Sequence, residues 1–309
     1  MSEMSNPGPV IFSPEVLNAA NDGRPIVALE STVYSHLGLP GPSNAEALEA
    51  CLSAIRGSGA VPAITAVIDG RMRAGLEEHE HVRILGPAKK AAERDLPVAI
   101  GQRWDVGATT VSASLAIAAR CGVRVFATGG IGGVHRGATD TGDVSADLGA
   151  IARHQVVTVS AGAKSFLDLP KTLERLEELG VPVLGWKTDE LPAFTARTSG
   201  LPVPHRVDDH SELISIVAAQ LNFGRGLLVT NPVPADDALD QDVHDEALRA
   251  ALADAEAAEI SGASITPFVL DRMANASAGR SVPANVALVA NNARLAAEIA
   301  VGLAAGNDR

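Results

Sequence analysis

The chain is 309 residues long, carries a formal net charge of −12, and is 46% hydrophobic but only 3% aromatic. That length fits one large domain or two small ones, and the apolar fraction supplies a sizeable core of Ala, Val, Leu and Ile. The acidic balance and the scarcity of aromatic platforms argue against nucleic acid as a partner, while a locally positive pocket for a phosphorylated small molecule stays open.

Residues 1–12 are polar, contain Pro and Gly, and read as a loose arm before a single domain over 13–309. They show neither the basic nor the apolar region of a secretory leader. Short apolar runs at 26–30, 64–68, 98–101, 123–128, 156–160, 181–185 and 227–230 read as strands. Amphipathic stretches at 44–56, 110–120, 165–179 and 212–221 read as helices between them. Ser43 ahead of Asn44-Ala45-Glu46, and Asp168-Leu169-Pro170, are helix-start signals. The alternation predicts βα units around a mostly parallel sheet. Beyond residue 243 the pattern turns helical, with stretches at 243–260 and 284–305 expected to pack on the same sheet. No apolar run reaches the roughly 20 residues of a membrane span. Cys51 and Cys121 lie in helix-like apolar stretches and read as free thiols of a reducing, cytoplasmic setting.

Ligands of open parallel sheets bind beyond the C-terminal strand ends. Glu30, a Gly-rich loop, Lys164 and Asn231 all fall at such ends. The loop, Gly129-Gly130-Ile131-Gly132-Gly133-Val134-His135-Arg136-Gly137, is not a dinucleotide fingerprint, because G-x-G-x-x-G from Gly130 meets His135 where the last Gly belongs. Ala163-Lys164-Ser165 likewise lacks the glycines of a Walker A loop. What the loop offers is tight turning and backbone N–H groups for an anion, beside His135 and Arg136; the alternative is a plain tight turn. Lys164, after Ala161-Gly162-Ala163, reads either as a poorly solvated nucleophilic amine or as an exposed lysine at a helix start. Asp143 and Asp147, four apart, share a face if helical, and read as oxygen ligands for Mg²⁺ or Mn²⁺ or as a solvated acidic face. Glu30 reads as a proton-transfer carboxylate or as a cap for the turn after it. Lys90 belongs to a basic pair with Lys89, commonly a solvated face. Asn285, Asn291 and Asn292 on an otherwise apolar helix need partners, either internal or a ligand.

Together these segments resemble the pseudouridine-5′-phosphate glycosidase family over residues 27–299. The resemblance rests on Val27-Ala28-Leu29-Glu30-Ser31-Thr32, Gly107-Ala108-Thr109-Thr110-Val111, the Gly-rich loop with Phe126 to Thr128 before it, Asp143-Val144-Ser145-Ala146-Asp147-Leu148, Ala161-Gly162-Ala163-Lys164-Ser165, Asn285 and Asn291-Asn292-Ala293. It implies a three-layer α/β/α fold with a central mixed, mostly parallel sheet, and a homotrimer. It further implies reversible cleavage of pseudouridine 5′-phosphate to uracil and ribose 5-phosphate, with one Mn²⁺ per subunit. Lys164 then matches the lysine that forms an imine with ribose C1′, Glu30 the proton donor, and Asp143 the metal-linked carboxylate. Lys90, Val111, Ser145, Ala146 and Asp147 match substrate-binding positions, and His135 and Asn285 fall on positions that look like active-site residues. Thr109, Thr110, Lys90 and the Gly-rich loop are the candidates to grip the phosphate. One departure is visible: Ser35-His36-Leu37-Gly38-Leu39-Pro40 is a residue longer than the family pattern, which leaves His36 without an assigned role.

The chemistry fits the residue types. A C–C glycosidic bond has no heteroatom to protonate, so opening the ribose onto a lysine gives a nitrogen that can carry the developing charge, and a carboxylic acid then protonates uracil at carbon. Two other readings share the residues: a Schiff-base aldolase acting on another sugar phosphate, which needs no metal pair, and a non-catalytic phosphometabolite binder, which needs neither Glu30 nor Lys164.

Overall fold

A computed structural model describes residues 10–260, 262 and 265–307. In chain order the first half contains β1 (Ile11–Phe12), α1 (Pro14–Asn21), β2 (Ile26–Leu29), α2 (Ser43–Gly57), β3 (Val61–Ile68), β4 (Arg71–Ala74), α3 (Glu78–Leu85), β5 (Lys89–Ala91), α4 (Leu96–Gly101), β6 (Val106–Thr109), α5 (Val111–Arg120) and β7 (Val125–Ala127). The second half contains α6 (Ala138–Thr141), α7 (Ala146–Arg153), β8 (Val157–Ser160), α8 (Leu169–Glu178), β9 (Val183–Trp186), β10 (His205–Val207), α9 (His210–Asn222), β11 (Leu227–Thr230), α10 (Gln241–Ala257), α11 (Ile265–Ala276) and α12 (Ser281–Asn307).

The strands form one sheet in the order β1-β4-β3-β2-β7-β8-β11-β9-β10, with β6 branching from β3 and β5 from β6. Only β3–β4 and β3–β6 are antiparallel, so the sheet is mixed and mostly parallel, as expected. Side chains alternate across it with period two. Val27, Leu29, Val125, Ala127, Val157 and Val159 share one core with α2, α9 and α12. Ala28, Phe126 and Leu228 face a second core with α5, α7, α8 and α10. Helices therefore cover both faces, giving three layers.

The branch creates the site. β2 pairs with the first half of β3 through Leu29↔Ile64, and β6 runs back along its second half through Ala66↔Ala108. Two strands thus point their C-terminal ends at each other over the middle of β3. The seam is closed by Ser31 N–H donating to Thr109 O at 3.4 Å, by Thr109 N–H donating to Ser31 Oγ at 2.9 Å, and by Thr109 Oγ1 donating to Thr65 O at 2.7 Å.

Several expectations change. Residues 98–101 belong to helix α4 rather than a strand: the run is too short for periodicity to decide, and a proline in the first turn suits a helix start. The following strand is β6, whose Gly107 and Ala108 hide its strand character. The helix expected from 165 begins at Leu169, where Asp168 caps it by accepting from Lys171 N at 3.2 Å. Of the expected arm, residues 1–9 lie outside the described residues, whereas Ile11 and Phe12 pair with Arg73 and Ala74 of β4. An apolar stretch long enough to cross a membrane does exist: Ser281–Gly306 qualifies by length and composition. Asn285, Asn291, Asn292, Arg294 and Glu298 interrupt its run in sequence. Much of this helix lies in the core, against α2, α9 and the sheet.

Candidate active site

The converging strand ends and the loops after β7 and β8 enclose a cavity of about 530 Å³. Its walls include Glu30, Lys90, Thr110, Val111, His135, Asp143, Ser145, Ala146, Asp147, Lys164 and Asn285. Thr32, Phe194 and, from α11, Thr266, Pro267 and Leu270 complete much of the remainder.

Glu30 follows β2 directly and is 8% exposed. Leu29 pairs with Ala127 in register, so the next residues on each strand, Glu30 and Thr128, are neighbours. The Thr128 hydroxyl donates to Glu30 Oε1. Burial raises the Glu30 pKa above the ordinary carboxylate range, against the opposing pull of the Lys164 charge and then the Thr128 hydrogen bond. A carboxyl shifted in this direction keeps its proton to higher pH than an ordinary carboxylate, which suits a proton donor.

Lys164 lies beyond β8 on a turn. Ala161 N–H donates to Gly129 O at 2.8 Å, and Lys164 N–H donates to Ile131 O at 3.1 Å, so this segment extends the sheet beside the Gly-rich loop. Gly162 has φ +73°, and a Cβ there would meet Pro192 O at 2.1 Å. The Lys164 ammonium donates to Gly130 O at 2.9 Å and is half-buried in the cavity wall. Lys90, on β5, presents open surface to the same cavity. The enclosing walls, and then the Lys164 charge, lower its pKa.

Asp147 is buried in the first turn of α7. Its two oxygens accept from Ser112 N at 3.1 Å and Gly132 N at 2.9 Å. It therefore ties the N-terminal turn of α5 to the Gly-rich loop. Ser145 caps α7, its Oγ accepting from Asp147 N at 3.3 Å. Asp143 stands outside that helix and is half-exposed, with its Oδ2 3.9 Å from His135 Nδ1. Burial lowers the His135 pKa, the nearby Asp143 opposing it. Asn285, on α12, is 8% exposed and lines the cavity, and among the described residues its Oδ1 has no hydrogen-bond partner. A buried acceptor without a partner is costly and is a ready contact for a ligand donor.

The profile of the Indigoidine synthase A like protein family matches residues 15–302. A protein of Methylobacterium nodulans named pseudouridine-5′-phosphate glycosidase is 49% identical over 96% of this chain and 89% of its own length. One of the same name from Herpetosiphon aurantiacus is 49% identical over 95% of this chain and 98% of its own. The chain belongs to the pseudouridine-5′-phosphate glycosidase family. Two solved structures share the fold. The prealnumycin C-glycosynthase AlnA, in complex with ribulose 5-phosphate, superposes with TM-score 0.88 at 36% identity, covering 97% of this chain and 98% of that one. An indigoidine synthase A-like protein from Thermotoga maritima gives TM-score 0.85 at 32% identity, covering 98% and 99%.

In this glycosidase-family chain the fold brings Glu30, Lys90, Thr110, Val111, His135, Asp143, Ser145 to Asp147, Lys164 and Asn285 to one cavity, whereas Thr109, Arg136, Asn231, Asn291 and Asn292 do not line it. Asp143 and Asp147 do not form a helical face pair, because the helix starts at Ala146 and both Asp147 oxygens are engaged by backbone N–H groups. Among the described residues no group of three or more His, Cys, Asp or Glu is placed to hold a metal ion. The Gly-rich loop is shaped by packing. The N–H groups of Ile131, Gly132, Val134 and His135 are taken by Gly162 O, Asp147, Thr172 Oγ1 and Asp143 O. A Cβ at Gly130 would meet Phe194 at 2.7 Å and one at Gly133 would meet Thr172 Oγ1 at 2.4 Å. Thr109 is spent on the seam. His36 ties its loop to the 86–88 segment, its Nδ1 accepting from Ala88 N at 3.2 Å, and does not line the main cavity. Thr128, Phe194 and the α11 residues went unforeseen. Thr128 had a signal, since it ends the strand adjacent to the one that Glu30 ends.

Proposed function

We propose that this protein cleaves the C–C glycosidic bond of pseudouridine 5′-phosphate reversibly, giving uracil and ribose 5-phosphate in pseudouridine breakdown. The observation that carries the reading is one cavity in which a buried Glu30, its pKa raised by burial, and the Lys164 amine face the same space. The names of the relatives support it, as does the C-glycosynthase solved with a pentose phosphate.

In the mechanism, the Lys164 amine attacks C1′, the C1′–O4′ bond breaks, and the proton shed by the attacking nitrogen passes to O4′. Uracil C5 is then protonated by Glu30. The C1′–C5 bond breaks, its electron pair leaves with uracil, and the lysine nitrogen lone pair closes an imine to C1′. Water hydrolyses the imine, releasing ribose 5-phosphate and the free lysine. The 5′-phosphate is held away from the reacting carbon by Lys90 and by the N-terminal turns of α5 and α7, at Thr110, Val111 and Ser145 to Asp147. There the helix dipoles favour an anion and the binding energy fixes C1′ against the amine. The unpartnered Asn285 Oδ1 accepts an N–H of the base.

One carboxylate and one imidazole beside a phosphate subsite would suit a hard divalent ion. Asp143, with His135, fits a single Mn²⁺ per subunit in this way, and Asp147 does not join them. The ion supplies charge neutralisation of the phosphate when bound. A cytoplasmic homotrimer is the setting this reading carries, tested by light scattering on the purified protein.

The test is product analysis: pseudouridine 5′-phosphate and Mn²⁺ are incubated with the protein and uracil is sought by chromatography. Uracil from the wild type and none from folded Lys164→Ala is the expected result. Uracil at wild-type rate from Lys164→Ala would overturn the imine route, and none from the folded wild type would overturn the substrate.

A further inference from the structure

Behind Thr128 lies a chain of buried amides that the mechanism does not use directly. Asn292, on α12, is fully buried, and its Nδ2 donates to Thr128 O at 2.9 Å and to Gly129 O at 3.3 Å. Its Oδ1 accepts from Asn231 Nδ2 at 3.1 Å. Asn231 ends β11 and is 4% exposed, its own N–H donating to Ser160 O at 2.8 Å. On its other side Thr128 is fixed by its N–H donating to Val159 O at 3.0 Å. Neither asparagine lines the cavity. Thr128 is thus held at both its backbone donor and its acceptor, and its hydroxyl donates to Glu30 Oε1.

From this geometry we infer that Asn231 and Asn292 are positioning residues for the proton donor: a buried amide clamp that sets the strand end bearing Thr128, and through its hydroxyl the orientation and acidity of Glu30. The inference rests on Glu30 being the donor of the proposed reaction. The direction of the amides matters. Asn231 as donor forces Asn292 to present Oδ1 to it, which leaves Nδ2 for the two carbonyls. An acceptor in place of Asn231 Nδ2 would invert the Asn292 amide, turning an oxygen toward Thr128 O and Gly129 O. Loosening Thr128 weakens a hydrogen bond to the ionised form of Glu30, so the Glu30 pKa must rise when the clamp fails.

The experiment is the pH profile of kcat for pseudouridine 5′-phosphate cleavage. It is recorded for wild type, Glu30→Gln, Thr128→Val, Asn292→Ala, Asn231→Asp and the Thr128→Val/Asn292→Ala double variant, each checked by circular dichroism. Glu30→Gln should abolish the alkaline limb; a limb that survives there removes Glu30 as donor and the clamp's purpose with it. Thr128→Val should move the limb to higher pH. Asn292→Ala and Asn231→Asp should move it in the same direction and lower kcat by about tenfold or more, with KM little changed. The double variant should match Thr128→Val rather than add to it. A limb lost in Glu30→Gln but unmoved in the folded asparagine variants, or a fully additive double variant, would overturn the clamp while leaving the donor in place. Asn231→Asp keeps size and lies two residues' contacts from Glu30, so it serves if Asn292→Ala does not fold.

Discussion

Gly132→Ala tests whether the Gly-rich loop is shaped by close approach rather than by anion binding. A Cβ at Gly132 would lie 2.4 Å from Ser145 Oγ, 2.7 Å from Ser145 Cβ and 2.8 Å from Asp147 Oδ2. Alanine keeps the N–H, so a loop whose duty is to donate to a phosphate loses little. A loop whose duty is contact must push Ser145 and Asp147 aside. Moving Ser145 forfeits the cap of α7, worth about 1 kcal/mol, and overpacking of this kind costs about 1–3 kcal/mol. The sum is roughly 2–4 kcal/mol, or a fall in melting temperature of roughly 3–6 °C for a chain of this size. Because Ser145, Ala146 and Asp147 line the cavity, kcat/KM should fall by about a hundredfold even where the protein is folded. Thermal melts and steady-state cleavage at 20 °C below the variant's own midpoint measure the two effects separately. The control is Gly57→Ala at the end of α2, where a Cβ meets nothing within 4 Å and the melting temperature should hold or rise slightly. A Gly132→Ala protein with unchanged melting temperature and unchanged kcat/KM would refute the packing argument.

Glu30→Gln should also show in stability. Burial raises the Glu30 pKa in the folded state, so the ionised carboxylate costs folding free energy at pH above the unfolded value of about 4.3 and costs nothing below it. The variant should therefore melt higher than wild type at pH 8, with the difference closing toward pH 4; an equal difference at both would show that ionisation is not its cause. Asp143→Asn should raise the Mn²⁺ concentration for half-activation by about tenfold or more with little change in metal-free melting. Asp147→Asn should do the reverse, destabilising the metal-free protein by about 2–4 kcal/mol because one of its two N–H donors then faces an amide NH₂. The opposite assignment of effects would exchange the roles of the two carboxylates.

The sequence carried the site further than it carried the fold. Strand ends were readable because β2, β7, β8 and β11 are continuous apolar runs closed by polar residues, and Glu30, Lys164 and Asn231 sit where those runs stop. The branch of the sheet was not readable. β6 is Val-Gly-Ala-Thr, short and small-sided, and β5 begins with two lysines, so neither shows the apolar pattern of a strand. Their pairing is imposed by β3, whose second half is open to β6 on the edge where β2 has ended, β4 holding the other edge. The carboxylate pair misled for a related reason. A spacing of four indicates a shared face only inside a helix, and Ser145 starts the helix between the two. The glycines were legible as a tight loop, but which side chains press against them depends on α7, α8 and the 192–196 segment, all distant in sequence.

The long helix α12 reaches both the cavity wall, at Asn285, and the Thr128 backbone beside Glu30, at Asn292. Asn285 and Asn292 are seven residues apart, two helical turns, and so lie on nearly one stripe. Between them Leu288 and Val289 pack onto the loop, where a Cβ at Gly129 would meet them at 3.4 and 2.9 Å. One helix therefore places the Asn285 oxygen in the cavity wall and grips the carbonyls of Thr128 and Gly129 from the same face. In the proposed reaction, contact with the base at Asn285 and placement of Thr128 beside Glu30 therefore fall to the same helix. The small residues that Gly129 and Gly130 supply are what let that helix and Phe194 come close enough to do both.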